Sequence, residues 1–417
     1  MSFSQALSGL SAQQQKLGAV GNNIANSQTV GFKSSNVQFA DVYAQSRIGL
    51  GVRTSTVLQD FSQGNVESTN RNMDLAIAGE GFFRFQQPSG EVGYSRNGQL
   101  TMTADGDLVN AQGAQIMGYA ADEEGNVQAG GDVAALNVDS EDLAASATTA
   151  LSVKLNLDSG AEGIDTSAGT GAGAVAFNAT DASTYNFSTN ATIYDSQGNA
   201  RNLTMYFIKD NNAVNQWQIQ GRVNGGPEDA AEYGPFNLGS LEFNQNGVLD
   251  TYNPTALSLN TDEFGAGEQF VALNVDLTFD GSKQFAQPST VNDITQNGYT
   301  SGSLVGVTIE DDGTVMRNYS NEESRAAGQI AMVSFRNPEG LSPAGDNLWT
   351  ATGASGQELV GAPGTGQRGL IEASAIETSN VDMAGELVDM IVAQRAYQAN
   401  SQTISTQDEL LQTIINL

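Results

Sequence analysis

An apolar residue at every seventh position constrains this chain more than any other feature. At the amino end Phe3, Leu10, Leu17 and Ile24 keep that spacing, Leu7 sits between them, and no Pro interrupts the run. Seven residues make almost two turns of α-helix, so these side chains form one narrow strip, as in a coiled coil. At the carboxyl end Met390, Tyr397, Ile404 and Leu411 repeat the spacing, with Leu387, Ile391 and Ile415 widening the strip. Ser379 followed by Asp382 reads as a capping box that opens this second helix. Running to about Ile415, it would be roughly 50 Å long at 1.5 Å per residue. A helix so long with so thin a strip needs a helical partner to cover it.

Charge favours pairing of the two ends only weakly. Residues 1–60 carry four basic and two acidic groups, whereas residues 371–417 carry one basic and seven acidic groups. Exposed ion pairs contribute about 0–1 kcal/mol each and are screened by salt, so apolar burial must drive the association. From the strips alone, an intramolecular coiled coil closing one domain is the first reading and a contact between copies the second.

Between about residues 70 and 320 the pattern changes to short alternating runs separated by Asn97-Gly98, Asp105-Gly106, Asn224-Gly225, Asn246-Gly247, Asp280-Gly281, Asn297-Gly298 and Asp312-Gly313. These dipeptides tolerate the positive φ of tight hairpins, so the middle is expected to be antiparallel β. Leu203–Ile208 and Leu304–Ile309 are strand candidates, being rich in β-branched and aromatic residues. The stretch from Ser159 to Val175, dominated by Gly, Ala and Ser, reads as a mobile loop. At 417 residues the chain is long enough for two to four domains.

Composition removes most chemistry. With neither His nor Cys, the chain cannot build a Ser-His-Asp or Cys-His nucleophile, an imidazole or thiolate zinc site, or a disulfide. Acidic residues number 47 against 17 basic ones, a net charge of −30 that repels phosphate backbones and anionic headgroups. Nucleic acid and membrane are therefore not expected partners, and no run of about eighteen apolar residues offers a span. The start Met1-Ser-Phe-Ser-Gln-Ala-Leu lacks the basic and apolar regions of a secretory signal.

The remaining motifs read as structure. Asp122-Glu123-Glu124 and Glu310-Asp311-Asp312 are solvated turns before they are paired catalytic carboxylates. Gly364-Thr-Gly366-Gln-Arg368-Gly369 fits G-x-G-x-x-G but follows Gly361-Ala-Pro363 in place of a parallel strand, so it reads as a connector. Asp195-Ser-Gln-Gly-Asn199 lacks the twelfth-position Glu of a calcium loop and reads as a hairpin turn. No catalytic residue, cofactor or metal is expected.

One set of motifs is recognisable. The first helix ends in Asn22-Asn23-Ile24-Ala25-Asn26-Ser-Gln-Thr29-Val-Gly31-Phe32-Lys33, where an Asn could cap the helix, Gly31 permits a sharp turn and Phe32 would anchor the exiting chain. Gln63-Gly-Asn-Val66, Asp74–Phe83 and Tyr94-Ser-Arg-Asn-Gly98 follow, and the carboxyl end carries Ser379-Asn380-Val381-Asp-Met383 and Gln394-Arg395-Ala-Tyr397-Gln-Ala-Asn400. Together these segments resemble the signature shared by bacterial flagellar rod, hook and hook-associated proteins, departing from it at Val30, where Pro is common. They cover roughly residues 1–120 and 370–417. Because about 150 residues interrupt the shared β domain, the resemblance points to the hook branch of the family, with the distal rod as its rival.

That resemblance implies a multidomain α+β protein whose long coiled-coil-like terminal helices form an inner tube, with mainly antiparallel β domains in the middle, one inserted in the other. Residues 1–33 with 379–417 would be the helical domain, 34–72 with 364–378 a connecting segment, 73–148 with 296–363 a β domain, and 149–295 the inserted outer one. The implied polymer interface comprises Phe3, Leu7, Leu10, Leu17, Ile24, Leu387, Met390, Tyr397, Ile404 and Leu411. Implied partners are further copies of the chain, the rod, hook-cap and hook–filament junction proteins, and the type III export apparatus, for an extracellular structural protein exported without a cleaved signal. Two readings from other classes are an acidic carbohydrate-active enzyme housed in the insertion and a surface adhesin on a coiled-coil stalk, the latter forming a closed oligomer.

Overall fold

The computed structural model describes residues 3–43, 49–122, 124–128, 130–165, 176–224, 232–259 and 273–415. Two helices stand at the ends, α1 (Phe3–Ala25) and α2 (Met383–Ile415), and the rest is mostly antiparallel β. The chain divides into two compact units. Unit 1 holds 1–140, 305–318 and 324–417; unit 2 holds 141–304 and 319–323.

In unit 1, α1 leads into a long hairpin, β1 (Ser35–Val42) and β2 (Gly51–Gln59), and then into β3 (Val66–Ser68), β4 (Asp74–Ala78), β5 (Phe82–Gln86), β6 (Val92–Ser95) and β7 (Gly98–Gln99). The largest sheet runs in the order 304–309, 314–319, 324–330, 115–120, β5, β6, 348–350, 342–345. Successive side chains of a strand point to opposite faces, and β5 uses both. Phe83 and Phe85 enter a core with Leu75, Ile77, Leu100, Ile116 and Ile330, while Phe82 packs on the other side with Tyr94, Phe335 and Trp349.

On that second side Arg84 clamps Glu358 with two hydrogen bonds of 3.1 and 3.2 Å, and the Tyr94 hydroxyl donates to Glu358 Oε2 at 2.7 Å. Burial alone would favour the neutral acid, but the bonds from Arg84 and Tyr94 outweigh it and hold the Glu358 carboxyl below the ordinary value of 4.5. A carboxylate with a depressed folded pKa contributes stability that is present above the unfolded pKa and lost as pH falls through the folded one. Unit 1 is therefore expected to weaken in acid below about pH 4.5, and Glu358→Gln should flatten that part of the profile. Denaturation midpoints read between pH 3 and 6 for both proteins would check it; an unchanged slope would refute it.

Unit 2 packs two sheets face to face. One is an antiparallel meander of strands 187–194, 200–209, 216–224, 232–243 and 249–254; the other centres on strand 150–158. Leu151, Val153, Leu155 and Leu157 from the second sheet meet Ile193, Leu203, Met205, Phe207, Trp217 and Ile219 from the first. Among the described residues the antiparallel expectation fails at strand 150–158, which pairs in parallel with both 276–278 and 283–285, and at the isolated bridge between Ile164 and Asp210. Parallel neighbours need a long crossover, and the whole meander supplies it.

Leu203–Ile208 and Leu304–Ile309 lie within strands 200–209 and 304–309 as expected. Gly106, Gly247 and Gly313 have positive φ in turns between paired strands, and Asp195–Asn199 is likewise a hairpin turn, closed by Asn199 accepting from Asp195 N at 3.1 Å. Other dipeptides serve differently. Asp280-Gly281 joins two segments that lie along the same neighbour, and Gly98 begins a strand, where an added Cβ would stand 2.4 Å from the Leu75 carbonyl. Gly298 similarly abuts Thr148, so these glycines permit close approach, not a reversal. The Asn224-Gly225 turn and residues 166–175 of the expected mobile loop lie outside the described residues. That loop's start is tied down, because Lys209 Nζ donates to the carbonyls of Ser159 and Ala161 at 2.7 and 2.8 Å.

Candidate assembly interface

The two helices lie side by side and antiparallel. A Cβ on Gly9 would sit 3.0 Å from the Asn400 side chain, Lys16 pairs with Asp389 at 3.4 Å, and Asn23 Nδ2 donates to Glu386 Oε1 at 2.8 Å. Small residues permit this approach: Ala6, Ala12 and Val20 of α1 and Ala393 of α2 are buried. On α2 the half-buried or buried row is Glu386, Met390, Ala393, Tyr397, Asn400 and Ile404, in steps of three and four. The adjoining flank of α1 rests on the β1–β2 hairpin, where Gln5 donates to the Gly49 carbonyl at 2.6 Å and Ser8 Oγ accepts from Val52 N at 3.2 Å.

The expected strip divides. Met390, Tyr397 and Ile404 lie along the seam, and Leu10, Leu17 and Ile24 are half-buried on α1. Leu411 belongs to the seam row but remains 55% exposed, because α1 begins too late to reach it. Leu387 and Ile391 do not widen the row; they face away from it and are exposed together with Val388 and Val392. Phe3 and Leu7 are exposed as well. One copy thus covers the seam and leaves a second apolar face of α2 open. Val388 and Val392 were missed by the seven-residue count because they belong to this second face.

The helix start also differs from the capping-box expectation. Asp382 is the cap, its Oδ1 accepting from Ala384 N at 3.1 Å, while Ser379 Oγ accepts from Val381 N at 3.3 Å before the helix begins. Placing the carboxylate at the cap itself satisfies a first-turn amide and the helix dipole together.

The family motif folds into a junction between both ends of the chain. Gly31, at φ 70°, turns the chain so that its N–H reaches the Glu377 carbonyl at 2.7 Å. Phe32 is only half-buried; the anchor is Lys33, fully buried, whose Nζ donates to Glu377 Oε1 at 2.7 Å and to the Ser62 carbonyl at 2.5 Å. Arg96 lies beyond, with Nε 3.3 Å from Glu377 Oε2 and its terminal nitrogens donating to the carbonyls of Gly79 and Gly81 at 2.9 Å. Two cations thus share one carboxylate in a site closed to water. Burial, then the nearby Arg96 charge, push the Lys33 pKa down, with Glu377 opposing; burial likewise lowers that of Arg96.

Asn residues do more than cap. Asn23 is buried and pairs with the Ser35 backbone in both directions at 2.9 Å besides holding Glu386. Asn380 Oδ1 accepts from Ser34 N at 2.8 Å and its Nδ2 donates to the Asp60 carbonyl at 2.8 Å. Asn26 donates to the Asn22 carbonyl and accepts from Thr29 Oγ1, closing the helix end without a left-handed residue. Ala25 and Arg395 are exposed, Val381 is half-buried, and Asn400 faces Gly9. Sequence pattern assigns no role to Arg96, although it lies in the Tyr94–Gly98 motif, or to Glu377, whose place two residues before Ser379-Asn380-Val381 is its local signal.

Four family models match in chain order: flagella basal body rod protein at 4–33, flagellar hook protein FlgE/F/G D1 domain at 76–156, flagellar basal body protein FlaE D2 domain at 156–299, and flagellar basal body rod FlgEFG protein C-terminal at 372–417. The chain is 42% identical over 421 residues to the flagellar hook protein FlgE of Escherichia coli (strain K12), with all of each chain covered. Identity is 43% over 424 residues to that of Salmonella typhimurium (strain LT2), again with full coverage. The Borreliella burgdorferi hook protein is 33% identical, with 100% of this chain and 99% of that one covered. Among solved structures, Helicobacter pylori flagellar hook protein FlgE2 shares the fold at a TM-score of 0.55 and 14% identity, covering 75% of this chain and 100% of its own.

Proposed function

Since this chain belongs to the flagellar hook protein family, and is a structural subunit of the hook, we propose that it polymerises through its terminal helices into a hollow, bendable tube. The observation that carries this reading is the open face of Leu387, Val388, Ile391 and Val392 on a helix already paired along its other side. An exposed apolar face of that size costs solubility unless something covers it, and further copies of the same helix pair are the covering that the family suggests.

Within that tube the paired helices would act as a coiled coil and give continuous apolar packing. The Gly-rich, acidic surfaces elsewhere would make wetter contacts that slide at modest cost. A joint stiff in twist and soft in bending follows, able to pass torque while curved. Residues 141–304, interrupting unit 1 in the chain, are read as the insertion that distinguishes a hook subunit from a rod subunit. A distal rod subunit is the weaker alternative, since full-length relatives are named as hook proteins. Export through the type III channel and contacts with rod, hook-cap and junction proteins belong to the same proposal.

Antibody against residues 149–295, applied to intact cells and isolated flagella in the electron microscope, is expected to mark a short curved segment between envelope and filament. Label on a straight rod would move the assignment to the rod, and no flagellar label would overturn it.

A further inference from the structure

Among the described residues nothing in one copy explains Arg395. It is the sole cation among residues 371–417, which hold seven carboxylates. It is exposed, and among the described residues no ion pair or hydrogen bond reaches its guanidinium. Val388, Ile391 and Arg395 follow one another at steps of three and four, so the cation closes the row of the open apolar face, away from the seam.

Three carboxylates at the start of α2 stand elsewhere, while Asp408 and Glu409 lie near its far end. Glu386 and Asp389 reach α1 across the seam, and Asp382 caps the helix start. Asp382 and Asp389 are exposed, Lys16 answers Asp389 only at 3.4 Å, and Glu386 Oε2 is buried without a hydrogen-bond partner among the described residues. The helix pair therefore carries two different, complementary patches: an apolar face ending in a cation, and an acidic flank bearing the exposed Asp382 and Asp389.

We propose that Arg395 of one copy pairs with the exposed Asp382 and Asp389 carboxylates of a second copy, fixing the register in which neighbouring helix pairs dock. The proposal rests on the terminal helices forming the tube wall. A contact between unlike patches is heterologous, so each added copy leaves one patch of each kind free, and the assembly stays open. A two-fold contact of parallel helices through the apolar face would instead set Arg395 against Arg395, so the same residue disfavours that closed dimer.

The test uses the full chain. Arg395→Glu should leave the melting curve unchanged, because nothing in one copy holds the side chain, while raising the concentration needed for tube formation at least tenfold. A variant with Arg395→Cys and Asp389→Cys then reads proximity, since the native chain has no Cys. These positions, six residues apart on one helix, stand about 9 Å apart, too far for a disulfide within the chain. Oxidation of its tubes should yield a ladder of covalent multimers, whereas each single-Cys variant stops at dimers. Normal assembly of Arg395→Glu, or tubes of the double-Cys variant without a ladder, would overturn the pairing. Run beside them, Ile391→Asp separates the two levels: if it blocks tubes while Arg395→Glu does not, only the pairing fails, and if both assemble normally the tube-wall reading fails with it.

Discussion

Glu377→Gln is expected to destabilise unit 1 by about 3–5 kcal/mol, far more than removal of either positive group beside it. Glu377 is the one anion between Lys33 and Arg96, and all three are essentially closed to water. Gln keeps the shape and can still accept from Gly64 N, which bonds Oε1 at 2.8 Å, but it leaves two buried cations unneutralised. Lys33→Met acts in the opposite direction on the charge balance, leaving Arg96 with one carboxylate. It loses the bond to the Ser62 carbonyl, an acceptor that Asn380 also reaches at 3.3 Å, so the cost should be roughly 1–2 kcal/mol. Denaturant midpoints of the unit 1 transition would decide the order, and equal losses would show that the charge balance is not what matters.

The pH profile gives the same junction a second readout. A Lys whose folded pKa is lowered is destabilising while charged: between the folded value and 10.5 the unfolded chain binds more protons, so stability rises with pH through that window. Lys33→Met should lose this rise on the alkaline side and keep the acid behaviour set by Glu358.

The other large effect concerns assembly. Ile391→Asp is expected to abolish tubes at concentrations where the native chain polymerises, with the monomer unfolding as before. Ile391 is 51% exposed on the open face, so the change should cost the monomer no more than about 0.5 kcal/mol. Covering the exposed half of an Ile at an interface is worth about 0.8–1.5 kcal/mol, and burying an unpaired carboxylate there costs further. Each repeated contact would thus weaken by more than tenfold, and a polymer feels that loss at every copy. Leu10 and Ile404 are poorer probes, being half-buried, because an Asp at either also disturbs the pairing within one copy. Sedimentation with electron microscopy would read the result, and normal tubes would remove this face from the interface.

Much of this protein was written in local pattern. The seven-residue spacing marked both helices, because helical periodicity needs no tertiary information, and Leu203–Ile208 and Asp195–Asn199 declared a strand and its turn through residue type alone. The family motifs named the segments that converge. What local pattern could not decide was which neighbour each group meets. Met390, Tyr397 and Ile404 turn to the seam while Leu387 and Ile391 turn away, and that choice depends on the place where α1 crosses α2. The buried Lys33–Glu377–Arg96 junction joins residues hundreds of positions apart, so no window of sequence contains it. Asn97-Gly98 and Asn297-Gly298 resemble turns, yet Gly98 and Gly298 face Leu75 and Thr148, and there the missing Cβ serves packing. Sequence by itself determined the elements, their periodicity and the charge they carry; the tertiary structure decided their faces and partners, because burial and ionic pairing are properties of contacts between distant segments, not of any one of them.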